Sequence, residues 1–343
     1  MAQQENSLIT EDEAALYDRQ IRLWGLDAQK RLRQSEMLIV GMGGLGAEVC
    51  KNVVLAGVKS MVLLDHRNVT ELDDCSQFLV SRDDVGKNRA LSSVDKAQEL
   101  NPNVKVSADT EDISTKPDDF FKQFDTVCLT CCTKETLLRV NQICHEHNIR
   151  FFAGDIFGYY GYMFADLNEH HYVEEKTKVI KSVPAPGEDT QPTKKQKTHL
   201  KETVYVQSTT TYCRLKEAFE KDWTVLSEKE LKRSPSLYFI LHILWKFQQA
   251  FGRNPQPSSL ENDRTELVRI RDEVLDDFGV KLDVVGDDFA CHCTAELSPV
   301  CAIIGGVLGQ ELIKAASGRD APHNNFFFFD GVEGSGLVDC IKQ

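Results

Sequence analysis

The chain has 343 residues, enough for about two domains at ~150 residues each, and its 41% hydrophobic and 27% charged content describes an ordinary globular protein with room for a large core. A formal net charge of −13 argues against a nucleic-acid binder or a protein of anionic membrane surfaces, both of which need basic patches. No run of about 18 apolar residues marks a membrane span. Met1 to Thr10 holds no apolar signal core, and the eleven cysteines therefore read as reduced intracellular thiols.

Thr10 followed by Glu13 predicts a capping box, and the helix it opens carries Tyr17, Ile21 and Trp24 on one apolar face before Gly25 stops it. Arg19 and Arg22 share another face, with no local partner demanded by the sequence. A strand at Met37–Val40 leads into Gly41-Met42-Gly43-Gly44-Leu45-Gly46 and a helix from Ala47 to Ala56, with Gly57 as its cap. A second strand, Met61–Leu64, ends at Asp65. Helix Arg89–Leu100, strands at Val104–Val106 and Thr126–Thr130, helix Lys134–Asn148 and strand Arg150–Ala153 continue the alternation. Such alternation predicts a largely parallel sheet covered by helices.

The pattern then breaks. Residues 166–211 read as a variable loop insert, disordered over 181–211, where prolines and lysines replace large apolar residues. Residues 212–290 read as a helical subdomain with helices at Leu215–Trp223, Ser227–Gly252 and Ser258–Gly279. In the return segment, 291–343, Ser298 and Pro299 start a helix with a broad apolar stripe, and Phe326–Phe329 has the length of a buried strand.

Gly41-x-Gly43-x-x-Gly46 between a strand and a helix is the context in which backbone N–H groups approach a phosphate. Asp65, about 20 residues further on, is placed to bind a ribose hydroxyl. A tight turn that binds nothing has the same pattern, and the fingerprint does not separate NAD from ATP. Tyr17–Gly25, the Gly41–Gly46 loop with its extra Gly44, Ile303–Glu311 and Phe327–Gly331 together resemble the adenylation domains that activate ubiquitin-like proteins. The resemblance covers about residues 10 to 335. Cys128-Leu129-Thr130-Cys131-Cys132, Gly154–Tyr159 and Pro322–Asn325 resemble the branch serving SUMO. It implies a Rossmann-like domain, residues 1–165, completed by the return segment.

The departures from the family are as informative. Active members carry an arginine for ATP phosphates where this chain has Ser76, a phosphate-binding lysine where it has Arg89, and an aspartate for Mg²⁺ where it has Cys132. Loss of a cation and a hard oxygen ligand removes both supports of adenylation. The resemblance therefore implies a subunit that is inactive by itself. ATP and Mg²⁺ would be bound mainly by a large catalytic partner, which would also carry the thioester cysteine. Gly41, Gly43, Gly44, Gly46, Asp65 and Arg89 would be vestigial nucleotide residues. Arg19 matches the arginine that, in the resembling enzymes, reaches ATP phosphates bound by the other half. The implied partners are that large subunit and SUMO, with no nucleic acid and no membrane.

The rivals are the equivalent subunit for another ubiquitin-like protein, a scaffold with no residue acting in trans, and an NAD-dependent oxidoreductase. The last would leave the other motifs unexplained. Cys128-x-x-Cys131 and Cys291-x-Cys293 lack a second half at zinc-finger spacing, and His145 and His147 face different ways, so no metal site is expected. Gly305, Gly306 and Gly309 in one helix suggest close packing, against the sheet or a second subunit. Lys194-Lys195-Gln196-Lys197 has the form of a nuclear import signal. Such clusters are also common in solvated loops; the resemblance, independently of these residues, implies nuclear residence with some cytoplasmic presence.

Overall fold

The computed structural model describes residues 9–180, 200–231 and 233–342. It opens on three short helices, α1 (Glu11–Leu16), α2 (Asp18–Trp24) and α3 (Leu26–Leu32). The expected capping box forms: the Thr10 hydroxyl accepts the Glu13 N–H and the Glu13 carboxylate accepts the Thr10 N–H, each at 3.2 Å. The helix predicted to run through to Gly25 breaks at Tyr17, whose φ of −97° and ψ of 15° leave the helical region. The break lets the Tyr17 ring sink against Gly57, where its hydroxyl accepts the Asn101 amide at 2.9 Å.

Strand and helix then alternate as β1 (Glu36–Val40), α4 (Gly44–Ala56), β2 (Ser60–Leu64), α5 (Arg89–Leu100) and β3 (Lys105–Asp109). They continue as α6 (Asp118–Phe121), β4 (Thr126–Thr130), α7 (Lys134–Glu146), β5 (Arg150–Phe157) and β6 (Tyr160–Asp166). After them come β7 (Glu169–Ile180), β8 (Leu200–Thr211), α8 (Leu215–Phe219), α9 (Glu228–Leu231), α10 (Ser236–Phe251) and α11 (Leu260–Asp277). The described chain finishes with α12 (Ser298–Ser317), β9 (Phe326–Asp330) and β10 (Ser335–Asp339).

The main sheet runs β10-β9-β6-β5-β4-β1-β2-β3. Strands β3, β2, β1, β4 and β5 are parallel, while β6, β9 and β10 extend the sheet antiparallel. The expected α/β architecture therefore forms, with an antiparallel wing in which β6 and β10 were not anticipated. Strand alternation divides the core. Leu38 and Val40 face one side with α7, α10 and α11, and Met37 and Ile39 face the other with α4, α5 and α12. Strand order reverses across β1, so a crevice opens at the carboxyl ends of β1 and β4, the usual ligand position in such sheets.

Two expected segments need correction. Residues 200–211, assigned to a disordered insert, pair with β7 as an antiparallel ribbon from Glu169↔Thr211 to Ile180↔Leu200. Polar residues on both faces hid its alternation. Residues 181–199, with the lysine cluster, lie outside the described residues. The 212–290 segment covers one sheet face: Trp245 of α10 meets Tyr162 of β6 edge-on at 5.7 Å within a shared core. Its long predicted helix is divided into α9 and α10 near Pro235, which supplies no N–H to continue a helix.

Helix α12 has the length and hydropathy of a membrane span, but most of it is buried inside the fold. Its glycines answer the packing question. A Cβ on Gly305 would stand 2.4 Å from the Glu48 Cβ, and one on Gly309 would stand 2.7 Å from the Asn52 Cβ, so both are needed for α12 to lie against α4. Gly306 faces open space.

Tyr17 fixes the three N-terminal helices to the body. Tyr17→Phe removes only the hydroxyl bond and is expected to cost about 1 kcal/mol. Tyr17→Ala also leaves a cavity and is expected to cost about 3 kcal/mol or more. Urea denaturation of the two variants checks that order, and equal losses would contradict it.

Candidate functional site

The glycine loop sits where the sequence put it, between β1 and α4. A Cβ on Gly46 would be 1.9 Å from the Gly41 carbonyl oxygen, and one on Gly41 would be 2.2 Å from the Thr130 carbonyl oxygen. Gly41 also has a φ of +84°, which L side chains rarely adopt. Thr130, ending β4, donates its hydroxyl toward the Val40 and Gly41 carbonyls at 3.0 and 2.8 Å, fixing the turn from the other side.

The two charged residues among the nucleotide candidates, Asp65 and Arg89, are both engaged within the protein. Asp65 is buried at the end of β2, and its carboxylate accepts the Met42 N–H at 2.8 Å and the Arg67 N–H at 2.9 Å. Burial pushes that carboxyl up, but the Arg67 charge and these hydrogen bonds outweigh it and hold it below its usual range. It shapes the loop and is not presented to a ribose. Arg89, at the start of α5, is ion-paired through Nε to Asp73 at 2.9 Å and donates from Nη2 to the same carboxylate at 3.0 Å. The one cation expected for a phosphate is thus neutralised by Asp73, one of the two aspartates preceding Ser76.

Ser76 packs under the loop, its Cβ 2.6 Å from where a Cβ on Gly44 would lie. Cys132 is buried and donates its thiol to the Thr130 carbonyl at 3.3 Å. Burial pushes that thiol up to about 12, so at neutral pH it is uncharged and no hard ligand for Mg²⁺. Among the described residues no three His, Cys, Asp or Glu side chains are grouped to hold a metal ion. His145 is engaged structurally, with Nδ1 2.9 Å from the Asp166 carboxylate.

Sequence reasoning missed Arg67, paired to Asp65, and two acidic members of the crevice. Asp155, in β5, is buried, and its carboxyl is raised to about 7 by burial and by the nearby Glu296 charge, against the Ile156 N–H and Arg67. Glu296, just before α12, reaches the glycine loop, accepting the Gly44 N–H at 3.0 Å and the Leu45 N–H at 3.4 Å. Its only local sign is an acidic residue beside a predicted helix start, 252 positions from Gly44. With Asp65 paired to Arg67, Glu296 on the glycine loop near Asp155, and Arg89 occupied by Asp73, these residues do not fit a magnesium–triphosphate.

Arg19 lies elsewhere. On α2 it is exposed, with no hydrogen bond or ion pair among the described residues, while Arg22 pairs with Asp18 at 3.0 Å. Gln20 beside it donates to the Leu55 carbonyl at the far end of α4. The 13-residue α4, about 20 Å long, separates Arg19 from its own glycine loop by more than one side chain can reach.

The chain belongs to the ThiF family, whose model matches residues 17–342. It is 55% identical over 342 residues to "SUMO-activating enzyme subunit 1" of Xenopus laevis, covering 99% of each chain. Proteins of the same name from Danio rerio and Homo sapiens are 55% and 53% identical, covering 99% and 97% of this chain and 98% and 96% of theirs.

The raised carboxyl gives a pH test. An ordinary Asp titrates near 3.8, while folded Asp155 holds its proton to about 7. Native protein therefore binds a proton that the unfolded chain releases, and this contribution, full below about pH 4, is lost as pH climbs toward 7. Asp155→Asn is expected to raise Tm relative to wild type more at pH 8 than at pH 5. Thermal melts check this, and a pH-independent difference would contradict it.

Proposed function

We propose that this chain is the non-catalytic subunit of a heterodimeric SUMO-activating enzyme. Its large partner binds ATP and Mg²⁺. There the SUMO C-terminal carboxylate attacks the α-phosphate and pyrophosphate leaves; a partner cysteine thiolate then takes the acyl group and AMP leaves. The names of the relatives support the substrate. The observation that supports the non-catalytic role is the state of this chain's own crevice, where Arg89 is held by Asp73 and Cys132, which the resemblance matches to the magnesium-binding aspartate, is a neutral thiol.

Arg19 is the residue we assign to the reaction, in trans. An exposed guanidinium far from its own loop is available to phosphates held by a second subunit, where it would neutralise charge as the leaving group departs. The surface around it suits docking. Leu16, Leu23, Leu55 and Ile303 are exposed on α1, α2, α4 and α12, and a cavity of about 420 Å³ is lined by Leu23, Trp24, Asn52, Gly306 and Ile313. Nuclear residence of the assembled enzyme, with some cytoplasmic presence, belongs to the same proposal.

Arginine fingers supplied in trans are worth roughly 10³–10⁵ in rate in GTPases. Arg19→Ala in the assembled heterodimer is expected to lower ATP–pyrophosphate exchange by about tenfold or more, with assembly intact by sedimentation, while Arg22→Ala leaves it near wild type. Unchanged exchange in an intact Arg19→Ala complex would remove the assignment.

A further inference from the structure

The first N–H groups of α4 have no partners inside the helix and carry the positive end of its dipole, the combination that draws a phosphate to such a loop. In this chain Glu296 lies on them. Oε2 accepts the Gly44 N–H at 3.0 Å, Oε1 accepts the Leu45 N–H at 3.4 Å, and the Ser76 hydroxyl donates to Oε2 at 3.4 Å. Both oxygens lie 3.0 Å from where a Cβ on Gly43 would be, so the carboxylate occupies space that a side chain there would crowd.

The segment that delivers Glu296 is held at both sides. Gly158, after β5, donates its N–H to the Ala295 carbonyl at 2.8 Å, and Tyr159 donates to the His292 carbonyl at 2.8 Å. A Cβ on Gly158 would lie 2.1 Å from that His292 oxygen. Ala295 itself has a φ of +66°, a left-handed conformation unfavourable for alanine, immediately before the residue that reaches the loop.

We infer that Glu296 is a tethered phosphate surrogate: its carboxylate occupies the anion position of the glycine loop, keeps the loop closed without nucleotide, and excludes nucleotide phosphates from it. The loss of cations explains why nothing would hold a triphosphate strongly; Glu296 explains why the remaining attraction, the helix N-terminus itself, is unavailable. It also ties the start of α12 to the start of α4, the helix pair beneath the proposed docking face.

The inference deepens the non-catalytic reading, but its test needs neither partner nor SUMO, so the two can fail separately. Calorimetric titration of the full chain with pyrophosphate at low salt would compare wild type, Glu296→Gln and Glu296→Ala. Glutamine keeps the shape and one acceptor oxygen but removes the charge, so it serves if alanine fails to fold. Both variants are expected to bind pyrophosphate at least tenfold more tightly than wild type and to gain Tm from it. Equal affinity in all three proteins, including no binding in any, would overturn the inference.

Discussion

A glycine loop feeding a helix leaves backbone N–H groups that need acceptors, and how that demand is satisfied governs the rest of this structure. The turn can form only with glycine at Gly41 and Gly46, because the Thr130 and Gly41 carbonyls fill the space a side chain would need. Asp65 anchors its beginning through the Met42 N–H, and Glu296 meets its end at Gly44 and Leu45. Around this point the charges are internally balanced: Arg89 with Asp73, Arg67 with Asp65. A site for a triphosphate needs uncommitted positive charge, and here the positive groups already have partners.

The same helix carries the other half of the account. Its C-terminal end receives Gln20 at the Leu55 carbonyl, while Tyr17 rests on Gly57 and holds α2 in place. Asn52, midway along it, donates to the Gly305 carbonyl of α12 at 3.1 Å. One rigid element thus links the closed loop at its start to the exposed arginine and apolar residues at its end. Glu296 on the N-terminal N–H groups of α4 and an exposed cation beyond its other end fit the proposed role, in which a second chain completes the site.

Much of this was legible in the sequence because the signals were local. The strand Thr126–Thr130 fell at its predicted bounds, α5 matched Arg89–Leu100, and the Thr10–Glu13 capping box formed as read. What escaped was set at long range. Tyr17 sits on a continuous helical pattern, and only its burial beside Gly57 and Asn101 breaks the helix. The β7–β8 ribbon is polar on both faces, so period-two alternation gave no sign of it. Phe326–Phe329 read as wholly buried, yet only Phe326 and Phe328 are, since the strand lies in the antiparallel wing with Phe327 and Phe329 half covered. In the crevice, substitutions at Ser76 and Cys132 were visible against the family pattern. The pairing of Arg89 with Asp73 and the reach of Glu296 required the fold.

The most direct measurement is ATP–pyrophosphate exchange in the presence of SUMO, made with the purified chain alone, the large subunit alone, and the two mixed. The account predicts no exchange from this chain alone and full exchange only in the mixture. Exchange catalysed by the isolated chain would contradict it, since Arg89 paired with Asp73 and a neutral Cys132 thiol would then not have disabled the crevice.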